Sequence, residues 1–191
     1  YEMMRPQIEA DPGPEKFGLQ RGHYAVVTLH RPSNVDARET LENLVTQLTA
    51  ISARLPLVFA LHPRTRKRLE EHDLWTRLNA QQGIRLTQPL GYVEFMALVS
   101  SAKAAITDSG GVQEESTYLG IPCLTLRENT ERPITVTQGS NRLVKPQHLL
   151  ESLEEVLSGH WSTGSRPENW DGRTAKRCVD ALKRRHAARA A

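Results

Sequence analysis

The sequence predicts a three-layer, doubly wound α/β domain on a mostly parallel sheet of about six strands. Two observations carry this expectation. Short β-branched and apolar runs alternate along the chain with longer segments of helical period, which is the signature of βαβ units. The length of 191 residues, 38% of them hydrophobic, suffices for one well-buried core and is too short for two full-sized domains.

The elements follow in order. AVVTL at 25–29 is the first strand, and Leu41, Leu44, Val45, Leu48 and Ile51 then fall on one helical face. LVFAL at 57–61 is the second strand, followed by a charged helix expected over 65–81. A short third strand at 84–86 precedes a helix marked by Phe95, Leu98 and Val99 that runs to about Ala102. AAIT at 104–107 is the fourth strand and stops abruptly at Asp108-Ser109-Gly110-Gly111, where a helix begins and continues to Gly120. Residues 122–126 and 141–144 supply strands five and six, and Leu149, Leu150, Leu153, Val156 and Leu157 build a further amphipathic helix. The expected divisions are a linker without periodicity at 1–20, entering from a domain upstream, a Rossmann-like domain at 21–160, and a loop with a basic final helix at 161–191.

Composition narrows the function classes. The net charge is +3, but residues 172–191 hold seven Lys/Arg against one Asp, so this tail carries +6 and the rest of the chain −3. No aromatic residues interleave with these basic ones, which argues against a nucleic-acid platform and for a solvated basic face. No signal peptide and no run of about 20 apolar residues is present, so a soluble, cytoplasmic protein away from membranes is expected. Cys123 and Cys178 lie far apart without metal or redox spacing, which predicts free thiols and no metal site.

In such sheets ligands bind beyond the carboxyl ends of the strands. The most informative strand end is DSGGVQEE at 108–115. Gly110 and Gly111 let the backbone approach a ligand closely, and the free N–H groups of the first helical turn favour an anion such as a diphosphate. Ser109 adds a hydroxyl, and Glu115, one turn deeper, is placed to accept from two neighbouring hydroxyls such as those of a ribose. Read blandly, the glycine pair is a tight turn with acidic residues complementing the helix start. Neither GxGxxG nor GxxxxGK[ST] occurs, which weighs against dinucleotide and P-loop readings.

Three more strand ends carry polar groups. His30-Arg31-Pro32-Ser33-Asn34 follows strand one; His30 suits proton exchange or the fixing of a loop, and Arg31 suits phosphate. His62-Pro63-Arg64 follows strand two. Glu131-Arg132-Pro133 follows strand five, either as a surface ion pair or as part of a shared crevice, with the proline starting a short helix. Tyr92 and Phe95, after strand three, offer a flat face for a base or simply pack in the core.

Taken in order, HRPSN, HPRTR, DSGGVQEE and the TERP at 130–133 resemble the C-terminal domain of the non-hydrolysing UDP-N-acetylglucosamine 2-epimerases, over about 25–157. The resemblance implies one half of a two-domain GT-B fold. It implies that Ser109, Gly110 and Gly111 hold the diphosphate, that Glu115 binds the ribose and that His62 and Phe95 line the uridine end. Arg132 matches the arginine of the family's ERP turn, and His30 a histidine at the reacting sugar. The implied reaction is epimerisation at C2 of UDP-GlcNAc to UDP-ManNAc, through elimination and re-addition of UDP. The main catalytic carboxylates lie on an N-terminal domain with no counterpart here, so the half is expected to be inactive alone. No cofactor is implied, the partners are a UDP-sugar and the missing domain, and a homodimer serving polysaccharide biosynthesis fits the family. The sequence departs from the family at Ser33 and Ile134, both usually glutamate. A UDP-sugar glycosyltransferase half and a non-enzymatic nucleotide-sugar-binding module stay open as alternatives.

Overall fold

The computed structural model describes residues 1–190; residue 191 of the expected final helix lies outside them. The helices are α1 (Arg5–Ala10), α2 (Pro32–Val35), α3 (Arg38–Ser52), α4 (Pro63–Glu71), α5 (Trp75–Asn79), α6 (Tyr92–Ser100), α7 (Gly110–Leu119), α8 (Pro133–Thr137), α9 (Leu149–Leu157) and α10 (Thr174–Ala190). The strands are β1 (Ala25–Thr28), β2 (Leu57–Ala60), β3 (Ile84–Thr87), β4 (Ala104–Thr107), β5 (Cys123–Thr125) and β6 (Asn141–Leu143). They form one sheet in the order β3-β2-β1-β4-β5-β6, with every neighbouring pair parallel. The doubly wound expectation holds.

Side chains alternate across the sheet, so successive residues of each strand feed different cores. Ala25, Val27, Leu57, Phe59, Ala104 and Ile106 face the layer of α3, α4, α5 and α9, where Leu41, Leu44, Val45, Leu48 and Ile51 of α3 are all buried. Val26 and Val58 face the opposite layer with Ile8 of α1 and Met96 to Val99 of α6, and Ala105 and Cys123 meet Val112 of α7 on that side. Both cysteines are free thiols; burial pushes the Cys123 thiol up to about 11, whereas Cys178 is exposed on α10.

Two expectations are corrected. The charged helix over 65–81 is two helices, broken where Asp73 takes φ 59°. Leu69 and Leu74 are five residues apart and could not share one face of a continuous helix; the break lets both be buried, with Leu74 N–H donating to Leu69 O at 2.8 Å. Residues 1–20, expected to lack periodicity, contain α1 and 3₁₀ turns at Glu2–Met4 and Gly13–Phe17. Tyr1, Met4 and Ile8 pack against α6, a periodicity that Pro6, Pro12 and Pro14 obscure in the sequence. Gly13, at φ +59°, passes so close to α6 that a Cβ there would stand 3.2 Å from the Ala97 carbonyl.

The strand order reverses between β1 and β4, so the loops leaving these two strands diverge and open a crevice at the carboxyl edge. Among the described residues no helix is long and apolar enough to cross a membrane.

Candidate functional site

The floor of the crevice is organised by Asp108, which directly follows β4 and is fully buried. A buried carboxylate needs donors, and the loop after β1 supplies them. His30 N–H donates to both carboxylate oxygens at 3.1 and 3.0 Å, Arg31 N–H to Oδ2 at 2.9 Å and Asn34 Nδ2 to Oδ2 at 3.0 Å. The His30 ring adds Nδ1 at 3.0 Å from Oδ1. Burial pushes the Asp108 carboxyl upward, but the bonds from His30, Asn34 and Arg31 together outweigh it and hold the group below its ordinary value. Asp108 thereby fixes the His30 tautomer: Nδ1 carries the proton toward the carboxylate, which leaves Nε2 as the nitrogen that can exchange a proton with a ligand.

His30 and His62 lie side by side, with ring centroids 5.4 Å apart. His62 caps α4, its Nδ1 accepting from Arg64 N–H at 3.1 Å, so its Nε2 is the protonated nitrogen of the neutral ring. Both histidines, with Phe95, Ser109 and Val112, line a cavity of about 320 Å³ at the mouth of β1 and β2. Four of the sequence-selected residues therefore converge on one space.

The start of α7 forms the adjoining wall. Ser109 is the N-cap residue, yet its side chain makes no cap hydrogen bond, and Gln113 N–H is the first to close back, onto Ser109 O at 3.4 Å. The N–H groups of Gly110, Gly111 and Val112 thus have no intrahelical partner, and with the helix dipole they suit an anion. Arg132 lies against this turn: a Cβ at Gly110 would stand 3.2 Å from Arg132 Cζ, so only glycine admits the guanidinium at this distance. Arg132 Nε is 3.3 Å from Glu114 Oε2. Glu115 accepts from the Tyr92 hydroxyl at 2.7 Å, which, after burial, raises the phenol further. Tyr92 is therefore tied to Glu115 by its hydroxyl, and Phe95 is the ring that lines the cavity. Proline 133 starts α8, as expected for the TERP turn.

Cationic side chains gather on the β5 side of the crevice. Arg127, 6% exposed, makes a twofold contact to Glu131 at 2.7 and 2.8 Å, and Arg31 Nη2 approaches the same carboxylate at 3.8 Å. The Arg127 guanidinium holds the Glu131 carboxyl down at about 2. A larger, open hollow of about 680 Å³, lined by Arg31, Ser33, Asn34, Arg127 and Lys145 among others, lies on this side.

Residues 2–183 match the family described as UDP-N-acetylglucosamine 2-epimerase. The chain belongs to this family. It is 40% identical over 168 residues to the UDP-N-acetylglucosamine 2-epimerase of Methanocaldococcus jannaschii, covering 83% of this chain and 44% of that protein. A UDP-2,3-diacetamido-2,3-dideoxy-D-glucuronate 2-epimerase of Pseudomonas aeruginosa is 38% identical over 122 residues, 63% of this chain and 33% of its own. The structure of the M. jannaschii epimerase in complex with UDP-GlcNAc and UDP superposes with a TM-score of 0.76 at 36% identity, covering 92% of this chain and 49% of that one. The chain thus spans about half the length, or less, of the epimerases it matches.

Sequence reasoning passed over Asp108 and Gln113 as functional positions. Asp108 had a legible signal, an acidic residue closing a strand of four buried residues. Gln113 had none, because its partners, Thr130 and Asn141, are 17 and 28 residues away.

Proposed function

We propose that this chain is the nucleotide-binding half of a UDP-N-acetylglucosamine 2-epimerase and that the UDP diphosphate rests on the first turn of α7. The observation that carries the reading is the unpartnered set of N–H groups at Gly110, Gly111 and Val112, beside a free Ser109 hydroxyl and the Arg132 guanidinium. On this reading Phe95 and His62 border the base, and Glu115, one turn along α7, exchanges the Tyr92 hydroxyl for those of the ribose. His30 faces the reacting sugar.

Epimerisation removes the proton from C2 while the C1–O bond to UDP breaks, which yields a glycal and UDP. A proton then returns to the other face of C2 and the UDP oxygen re-forms the bond at C1. The chain's part in both halves is electrostatic: helix N–H groups and Arg132 stabilise the charge that builds on departing UDP, and keep it in place for re-addition. His30, its tautomer set by Asp108, offers Nε2 for proton exchange at the sugar–diphosphate link. A second domain, reached through residues 1–20, supplies the remaining acid and base and shields the glycal from water.

The sugar is a UDP-linked 2-acetamido hexose. The Pseudomonas relative's name shows that family members differ in the sugar they act on, and Ser33 and Ile134 are this chain's departures.

Titration with UDP tests the binding reading. Amide shifts at Gly110, Gly111 and Glu115 are expected at millimolar UDP, and their absence would sink it. For the reaction, the chain joined to its native upstream domain is followed with UDP-GlcNAc in deuterium oxide. The manno epimer carrying deuterium at C2 supports epimerisation; transfer of the sugar to an acceptor without exchange at C2 identifies a glycosyltransferase instead.

A further inference from the structure

Gln113 is completely buried on α7, three residues past Gly110, and no proton-transfer or ligand-contact role falls to it. Its Oε1 accepts from Thr130 Oγ1 at 2.6 Å and from Asn141 Nδ2 at 3.3 Å. The amide orientation follows from Thr135: its one hydroxyl hydrogen goes to the Arg132 carbonyl, so it accepts from Asn141 at 3.0 Å, and the Asn141 group that meets Thr135 and Gln113 is Nδ2, with Oδ1 left to accept from Thr125 Oγ1 at 2.6 Å. Thr130 Oγ1 in turn accepts from Arg132 N–H at 3.0 Å, and Thr135 Oγ1 donates to Arg132 O at 2.7 Å. Both backbone polar groups of Arg132 are thus held by threonines that this buried amide pair anchors.

We propose that Gln113 is the positioning residue that locks the 130–133 turn onto α7 and so holds the Arg132 guanidinium against Gly110, over the anion-binding end of the helix. The inference rests on the UDP-binding reading for its consequence but not for its geometry. The arrangement places donor and cradle on one element: α7 presents its first turn to the anion and, through Gln113, fixes the cation that completes the same site. A buried link of this kind sets the guanidinium before the ligand arrives, which removes an ordering cost from binding. It also explains why a side chain as mobile in principle as arginine stands where a Cβ at Gly110 would come within 3.2 Å of its Cζ.

The test uses Gln113→Met, which keeps the volume and removes the acceptor, Thr130→Val, which removes the partner from a surface turn, and Thr130→Ser, which restores the hydroxyl. In the ligand-free chain, the Arg132 Nε–H heteronuclear NOE is expected to fall in Gln113→Met and Thr130→Val and to recover in Thr130→Ser, with Gly110 and Gly111 amide shifts unmoved. UDP affinity is expected to drop about tenfold in the first two variants, while affinity for uridine, which lacks the diphosphate, stays the same. The double variant should lose no more than Gln113→Met alone, since Thr130→Val cuts one of the two links that this change already removes. An Arg132 NOE that does not change, or equal losses for UDP and uridine, overturns the proposal. A wild-type chain with no response to UDP overturns the binding reading, and the NOE still decides the role of Gln113.

Discussion

Gly111→Ala separates the demands of the protein from those of its proposed ligand. The position lies in the first turn of α7 with no positive φ, and the only atom near an added Cβ is Ser109 Oγ at 4.0 Å. The protein alone therefore gains from the change: alanine is favoured over glycine in a helix by up to about 1 kcal/mol, a rise of at most about 2–4 °C in Tm for a chain of this size. The open space, however, is where the diphosphate is proposed to approach the backbone. A methyl group there pushes the phosphate off at least one charge-assisted hydrogen bond worth about 1.5–3 kcal/mol, which lowers UDP affinity about tenfold or more. Calorimetric unfolding and a UDP titration of the same preparation give both numbers. A variant that is more stable and binds UDP as well as wild type would refute the placement. Two other glycines bracket the result. Gly110→Ala displaces Arg132 by a few tenths of an ångström and weakens UDP binding too, whereas Gly139→Ala, with its Cβ 2.4 Å from Thr117 Cγ2, is expected to unfold the protein more readily.

Four further outcomes follow from the same geometry. Asp108→Ala strands the N–H groups of His30 and Arg31 and the Asn34 amide, and is expected to cost about 3 kcal/mol in urea unfolding; a loss below 1 kcal/mol would mean water replaces the carboxylate. Because the Asp108 pKa is depressed, its contribution is complete above the unfolded carboxylate value near 4 and fades as pH falls through the lower folded value, so the wild type should lose stability in acid more steeply than Asp108→Asn. Arg127→Met should return the Glu131 carboxyl from about 2 toward the ordinary carboxylate range in a carbon-13 titration; an unmoved value would assign its depression to other groups. Phe95→Leu preserves apolar packing against its neighbours but removes the flat ring, so UDP and uridine should weaken together while inorganic pyrophosphate is unaffected; a variant that binds uridine as before would place the base elsewhere.

The sheet was legible because its signal is local. Strands such as 104–107 are apolar at consecutive positions, and α3 buries all five residues of its helical stripe. The strand-to-helix junction at 109–111, where the diphosphate is proposed to rest, was legible for the same reason: it follows an apolar strand and opens a helix of ten residues. What stayed hidden depends on contacts across sequence distance. The fold of residues 1–20 is set by α6, against which Ile8 is buried, and prolines mask the period. The break at Asp73 follows from where Leu74 must be buried, a demand visible only once the α4 and α5 layer is in place. Gln113 reads as one more polar helix residue until Thr130 and Asn141 are brought to it.

The Asp108 clamp has a consequence for motion. One carboxylate just past β4 grips two successive N–H groups of the β1 loop, and Asn34, which it also holds, reaches on to the Leu126 carbonyl beyond β5 at 2.9 Å. Three neighbouring strand ends are thereby fastened at a single point. Their backbone entropy is spent during folding rather than on encounter with a ligand, and the His30 and Arg31 amides should exchange with solvent only on opening of the sheet edge itself. On the proposed function, closure over a nucleotide sugar would then come from a body moving against this edge as a rigid anvil, with the crevice floor unchanged.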